Sequence, residues 1–198
     1  PGLALIAASA ATAYLQGQLH GNLHQRIVLA EIHRLFPRPV PYIDHTSMVA
    51  SYPKQGFFMS VWGMTDYRRQ ARPSMAVILA KQQPKFILVT RNLLDVEAID
   101  PLASQRSPRG LLAEDVRTLK ANYVRYWGPI YLPGQRIHGQ GEIAVPIAGP
   151  YRLEQGRSIQ LAGRQLNQDD VVRLGAGNYP FSSVAAALLP LGGRPPPP

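Results

Sequence analysis

Asp44 and His45 stand where an apolar run, Val40-Pro41-Tyr42-Ile43, turns polar at Asp44-His45-Thr46-Ser47. A buried strand that ends this way opens onto the crevice outside the carboxyl edge of an α/β sheet, where ligands bind. Neighbouring side chains on an extended backbone point to opposite faces, so the two do not form a natural acid–base pair. Asp44 could equally anchor the loop that follows. Aromatic residues come next: Tyr52, Phe57, Phe58, Trp62 and Tyr67, mixed with Lys54, Gln55 and Asp66. Such a surface can stack on a flat or sugar-like ligand, or its rings can plug a core. Arg68, Arg69 and Arg72 form the densest basic cluster. Guanidinium forks grip phosphate, which suits a lipid phosphate or head group, although a solvated face uses the same residues. The candidate ligand surface is therefore Asp44, His45, Tyr52, Trp62, Tyr67, Arg68 and Arg72.

Other chemistries find no support. Cysteine is absent, which removes disulfides, thiolate metal sites and a thiol nucleophile. His20 and His24 share a helical face at i, i+4, but only Glu31 could join them, so no metal site is assigned. Asp44, Asp66, Asp95, Glu97, Asp100, Glu114 and Asp115 are scattered and do not pair as glycosidase carboxylates. Glu114 and Asp115 suit the N-terminus of a helix through its macrodipole. Neither a nucleophile elbow nor a glycine-rich phosphate loop occurs, so no catalytic residue and no cofactor is assigned.

Lys and Arg number 21 against 12 Asp and Glu, a net charge of +9. That excess favours anionic partners: phosphorylated ligands, an anionic membrane surface or nucleic acid. It is dispersed, without the basic run that marks a nucleic-acid footprint.

The elements that must position these residues follow from pattern. Residues 1–15 are uncharged, yet shorter than the roughly 18–20 residues a spanning helix needs. They fit the end of a transmembrane helix, a buried N-terminal helix or a cleaved or disordered arm. The chain opens at Pro1 without an initiator Met, which points to a piece of something longer. Residues 22–36 carry one apolar stripe, Val28, Ile32, Leu35 and Phe36, with Asn22 as N-cap. Val40–Ile43 makes a strand. Residues 73–81 make a helix with Pro73 in its first position. Residues 85–90 make the clearest strand, and residues 92–110 a loop with one helical turn. Residues 111–127 make a long helix, with Leu112, Val116, Leu119, Tyr123 and Tyr126 on its stripe, and residues 130–132 a third strand. This alternation predicts a small three-layer α/β domain with a parallel sheet over residues 22–138.

From Gly139 the texture changes. Residues 142–147, 151–154, 158–161 and 171–174 alternate between turn signals, which predicts a β-rich, antiparallel, sandwich-like module over residues 139–191. Residues 184–189 read as a last strand or a short helix. Ala148-Gly149-Pro150-Tyr151 is echoed by Ala176-Gly177-Asn178-Tyr179, through a repeat or through recurrent turn chemistry. Residues 192–198, rich in proline, read as a disordered tail.

The order of these phrases carries a resemblance: RIVLAEIHRLFPRPVPYIDH, SYPKQGFFMSVWGMTDYR, ILAKQQPKFILVTRN and NYVRYWGPIYLPG. Over residues 1–138 the chain resembles the soluble C-terminal region of bacterial membrane glycosyltransferases. These are similar to the dolichyl-phosphate-mannose–protein mannosyltransferases, the GT-C type that uses polyprenyl-phosphate sugars. The resemblance implies a domain on the periplasmic side of the inner membrane, joined to a membrane-embedded domain of the same chain. The family's catalytic carboxylates lie in loops between early membrane helices, which have no counterpart here. None is carried onto this sequence. The implied role is non-catalytic: binding acceptor, or positioning a lipid-linked sugar at the membrane surface. Two other readings stay open, a stand-alone α/β enzyme or carbohydrate- or phosphate-binding protein using the crevice near Asp44, and a nucleic-acid binder.

Overall fold

A computed structural model describes residues 23–56, 60–155 and 158–190, with residues 61, 154, 155 and 184–190 described through their backbone alone. The apolar segment 1–21, the Asn22 cap, Phe57, Phe58 and the tail 192–198 lie outside the described residues. The chain divides into two compact units, Pro1–Arg38 and Pro39–Pro198. Of the first, the described element is α1 (Leu23–Leu35), in which Val28, Glu31 and Ile32 are buried. The Arg34 guanidinium grips both oxygens of Glu31, at 2.6 and 2.8 Å, which gives the buried acid its partner. Among the described residues, no helix is long and apolar enough to cross a membrane.

The second unit holds two sheets, so helices and sheets mix as expected. The first contains β1 (Tyr42–Asp44), β2 (Lys54–Gln55), β3 (Phe86–Leu88), β4 (Tyr123–Trp127) and β5 (Ile130–Pro133) in the order β2-β1-β3-β5-β4. Strands β2, β1 and β3 are parallel, as the helix–strand alternation predicts. The all-parallel expectation fails at β5, which runs antiparallel to both β3 and β4. A two-residue turn explains it. Gly128, at φ +49, and Pro129 connect β4 to β5, and only antiparallel neighbours can be joined so tightly. The helix read over residues 111–127 stops early for the same reason. It is a ten-residue helix, α5 (Ala113–Asn122), after which Tyr-Val-Arg-Tyr-Trp goes into the sheet, where aromatic and β-branched side chains pack well.

Three further helices precede α5: α2 (Val61–Gln70), α3 (Met75–Gln82) and the short α4 (Pro101–Arg106), with a 3₁₀ turn at Asn92–Leu94. Helix α2 occupies part of what reads in the sequence as an aromatic loop. Ser60 caps it, its hydroxyl accepting from the Gly63 amide. Pro73 stands outside α3, because Ser74 takes the cap position. Met75, Ile78 and Leu79 of α3 pack with Val116 and Leu119 of α5 against Ile43 and Ile87 of the sheet. On the strands' other face, Tyr42 stacks on Phe86 at 5.0 Å.

One buried acid ties these helices together. Asp115 is fully buried and accepts from the backbone amides of Ser74 and Met75, at 2.9 and 2.7 Å, and from the Tyr67 hydroxyl. It thus caps α3 from a different helix, a role beyond the macrodipole of its own. Tyr67 also accepts from the Leu112 amide at 2.8 Å. Burial first, then the bond to Asp115, pushes its hydroxyl pKa well above the ordinary value.

The second sheet is antiparallel, with β6 (Gln135–Val145), β7 (Gly149–Gln155), β8 (Ser158–Leu161), β9 (Arg164–Asn167), β10 (Val171–Leu174) and β11 (Gly177–Pro190). Its order is β10-β7-β11-β8-β9, with β6 on β11. Alternation supplies its core: Ile143 and Val145, Tyr151 and Leu153, Ile159 and Leu161. The two echoed Ala-Gly-x-Tyr phrases both start strands, β7 and β11. Residues 184–189 belong to β11 and are extended, not helical. Arg136 of β6 reaches Glu97 at 2.6 Å, and Glu97 also meets Arg125 of β4 at 2.9 Å, so an ion-pair chain joins the two sheets.

Replacing Asp115 with Ala leaves buried donors without an acceptor and is expected to cost about 3 kcal/mol. Glu114→Ala, exposed on the same turn, is expected to cost less than about 0.5 kcal/mol. Urea-unfolding midpoints of the two variants check this; equal losses would show that Asp115 is not the tie.

Candidate functional site

The parallel strands β1 and β3 end side by side, with Asp44 paired to Leu88 in register. The residues leaving them, His45 and Thr46 after β1 and Thr90, Arg91, Asn92 and Leu93 after β3, line an open cleft of about 670 Å³. Met64 of α2 and Arg109 from the loop before α5 complete it. No acidic residue is among these lining residues.

Asp44 builds the floor of this arrangement. Its side chain is fully buried, and its two oxygens accept from the backbone amides of Ser47 and Met48. Ser47 is held at φ +60, a conformation uncommon for residues other than glycine. Lys54 of β2 crosses the same turn. Its ammonium donates to the His45 carbonyl and the Ser47 hydroxyl, both at 3.1 Å, and lies 3.7 Å from Asp44. Asp44 is thus a loop anchor, each of its carboxylate oxygens engaged by a backbone amide.

His45 is half-buried at the mouth of the cleft. Burial lowers its pKa below the ordinary 6.5, and the positive charges of Arg91 and Lys54 add to that, opposed by Asp44. At neutral pH the imidazole is therefore uncharged, one nitrogen donating and the other accepting. Thr90 contributes a buried hydroxyl oxygen with no hydrogen-bond partner. Two arginines, a neutral imidazole and an unpaired hydroxyl form a donor set for an oxyanion.

Of the seven residues singled out in the sequence, His45 lines the cleft and Asp44 supports it. Tyr52 is buried edge-on against Phe86, with ring centroids 6.2 Å apart. Tyr67 is buried in the Asp115 network. Arg68 donates to the Gln105 carbonyl of α4 at 2.5 Å. Arg72 is exposed between α2 and α3, and Trp62 is 86% exposed on α2. The aromatic residues therefore do not form one stacking surface: Tyr52 and Tyr67 are core, and Trp62 faces solvent. Arg91, Thr90 and Arg109 were not singled out. Arg91 could have been found, since it follows the apolar run of β3 as His45 follows that of β1. Arg109 lies in a polar loop and carries no comparable signal. Among the described residues, no group of three or more His, Asp and Glu could hold a metal ion.

Comparison with protein-family models, with curated proteins and with solved structures finds no match to this chain in any of the three.

The depressed pKa of His45 sets a pH dependence. Below about 6.5 the unfolded chain takes up a proton that the folded cleft resists, so this group's contribution to stability declines as pH falls through that window. His45→Gln is expected to flatten the drop in urea midpoint between about pH 7 and pH 5. An unchanged slope would show that His45 titrates as it does in the unfolded chain.

Proposed function

We propose that this chain is a non-catalytic, extracytoplasmic domain of a membrane glycosyltransferase that uses polyprenyl-phosphate sugars, and that its strand-end cleft holds the phosphate of the lipid-linked donor. The observation that carries this reading is the donor set at the carboxyl ends of β1 and β3: Arg91 and Arg109 beside neutral His45 and the unpaired Thr90 hydroxyl. Such a set favours a phosphate ester over a neutral ligand, because two guanidinium groups offset its charge while imidazole and hydroxyl add direction. The sequence resemblance supplies the class of phosphate. In this reading the five-stranded sheet is the middle of three layers, and the domain stands at the periplasmic face of the inner membrane beside the membrane-embedded part of the same protein. Exposed Trp62, with exposed Arg72 just beyond the far end of its helix, suits contact with an anionic head-group region.

A role in positioning, not in chemistry, fits the state of the carboxyl groups. Asp44 and Asp115 are both buried and engaged by backbone donors. Among the described residues that line the cleft there is no carboxylate to act as acid or base.

Calorimetric titration with geranyl phosphate and with mannose 1-phosphate tests the reading, with uncharged geraniol as control. Both phosphates are expected to bind and geraniol is not. Arg91→Ala and Arg109→Ala should each weaken binding by about tenfold, the value of one lost charge-assisted bond. Absence of binding by both phosphates, or variants that bind as tightly as the parent, would overturn it.

A further inference from the structure

The second sheet carries a row of neutral polar side chains across four strands. Strand register places Gln165 of β9 opposite Gln160 of β8, Gln160 opposite Ser182 of β11, and Ser182 opposite Gln140 of β6. All four are exposed. With neighbouring strands about 4.8 Å apart, the row is about 14 Å long, comparable to about three linked hexoses. It runs through a depression of about 490 Å³ whose wall also includes Ser158 and Ser183, and no charged residue is among the described residues that line it. In a chain of net charge +9, that neutrality sets the depression apart.

Two features mark it as more than a polar surface. The Ser183 hydroxyl oxygen is buried and has no hydrogen-bond partner. Leaving a buried hydroxyl unpaired is costly, and a ligand hydroxyl would relieve that cost. In addition, the register of β11 against β6 shifts between Ser183 and Ala186. Adjacent residues of a regular strand face opposite ways, whereas Ser182 and Ser183 both line this depression, beside the irregularity.

We propose that this face binds a neutral glycan, laid across the strands with its hydroxyls on the Gln140, Gln160 and Gln165 amides and on Ser182 and Ser183. Each amide offers one acceptor and two donors, matching the mixed character of sugar hydroxyls. Among the described residues that line it, an anion would find no cation and a metal ion no carboxylate. The glycan face lies on the second sheet and the cationic cleft at the strand ends of the first, so each can fail without the other.

The test is an NMR titration of the full 198-residue chain, labelled with nitrogen-15, with mannohexaose, cellohexaose and maltohexaose in turn. At least one is expected to shift the side-chain amide signals of Gln140, Gln160 and Gln165. Its affinity should stay constant from about 50 to about 500 mM salt, because no charge is involved. Gln160→Ala, an exposed substitution, should weaken binding at least about fivefold with the backbone spectrum unchanged. The proposal is overturned if none of the three shifts these amides at about 10 mM, if binding falls steeply with salt, or if Gln160→Ala and a Gln140→Ala/Gln165→Ala double variant bind like the parent.

Discussion

The turn that leaves β1 is closed by one buried carboxyl group, and the geometry of the cleft rests on it. Backbone amides at the end of a buried strand lose their sheet partners and need others. Asp44 supplies them, taking the Ser47 and Met48 amides on its two oxygens. That closure holds Ser47 in a left-handed conformation, and Lys54 is brought across to the His45 carbonyl. His45 is thereby fixed beside the end of β3. Without the carboxyl group, the Ser47 and Met48 amides and the Lys54 ammonium would lose their shared partner.

The electrostatics of the cleft follow from this arrangement. Burying Asp44 under its own loop spends its hydrogen-bonding capacity on backbone, so the open side of the cleft is left to His45, Arg91 and Arg109. The same device recurs at Asp115, which caps α3 and fixes α2 through Tyr67. Both acids are structural partners of backbone, which accounts for a basic protein presenting a cationic cleft beside buried aspartates. The second sheet is built differently. Its core comes from strand alternation, and the depression on its surface is lined by uncharged amides and hydroxyls.

Much of this was legible in the sequence where a physical signal was local. The apolar runs around Ile43 and Ile87 announced two buried parallel strands, and the change from apolar to polar at Asp44 marked the edge where the cleft lies. Turn signals between alternating runs announced the antiparallel sheet. What was not legible depended on contacts distant in sequence. Tyr123 and Tyr126 fit a helical stripe as well as a strand, and the decision falls to the Gly128-Pro129 turn and the pairing of β4 with β5. Tyr52 and Tyr67 have the composition of a ligand surface, yet Phe86 and Asp115, far along the chain, claim them. The transverse row of glutamines exists only through register, since its members come from four strands.

The central claim is that the strand-end cleft holds a phosphate-bearing group next to His45. The imidazole titration of His45, followed by NMR with and without saturating geranyl phosphate, tests it most directly. The account predicts a midpoint below 6.5 in the free protein, lowered by burial and by Arg91 and Lys54, and a rise when the phosphate enters and offsets those charges. A midpoint that stays where it was while the ligand is bound would place the phosphate elsewhere and contradict the account.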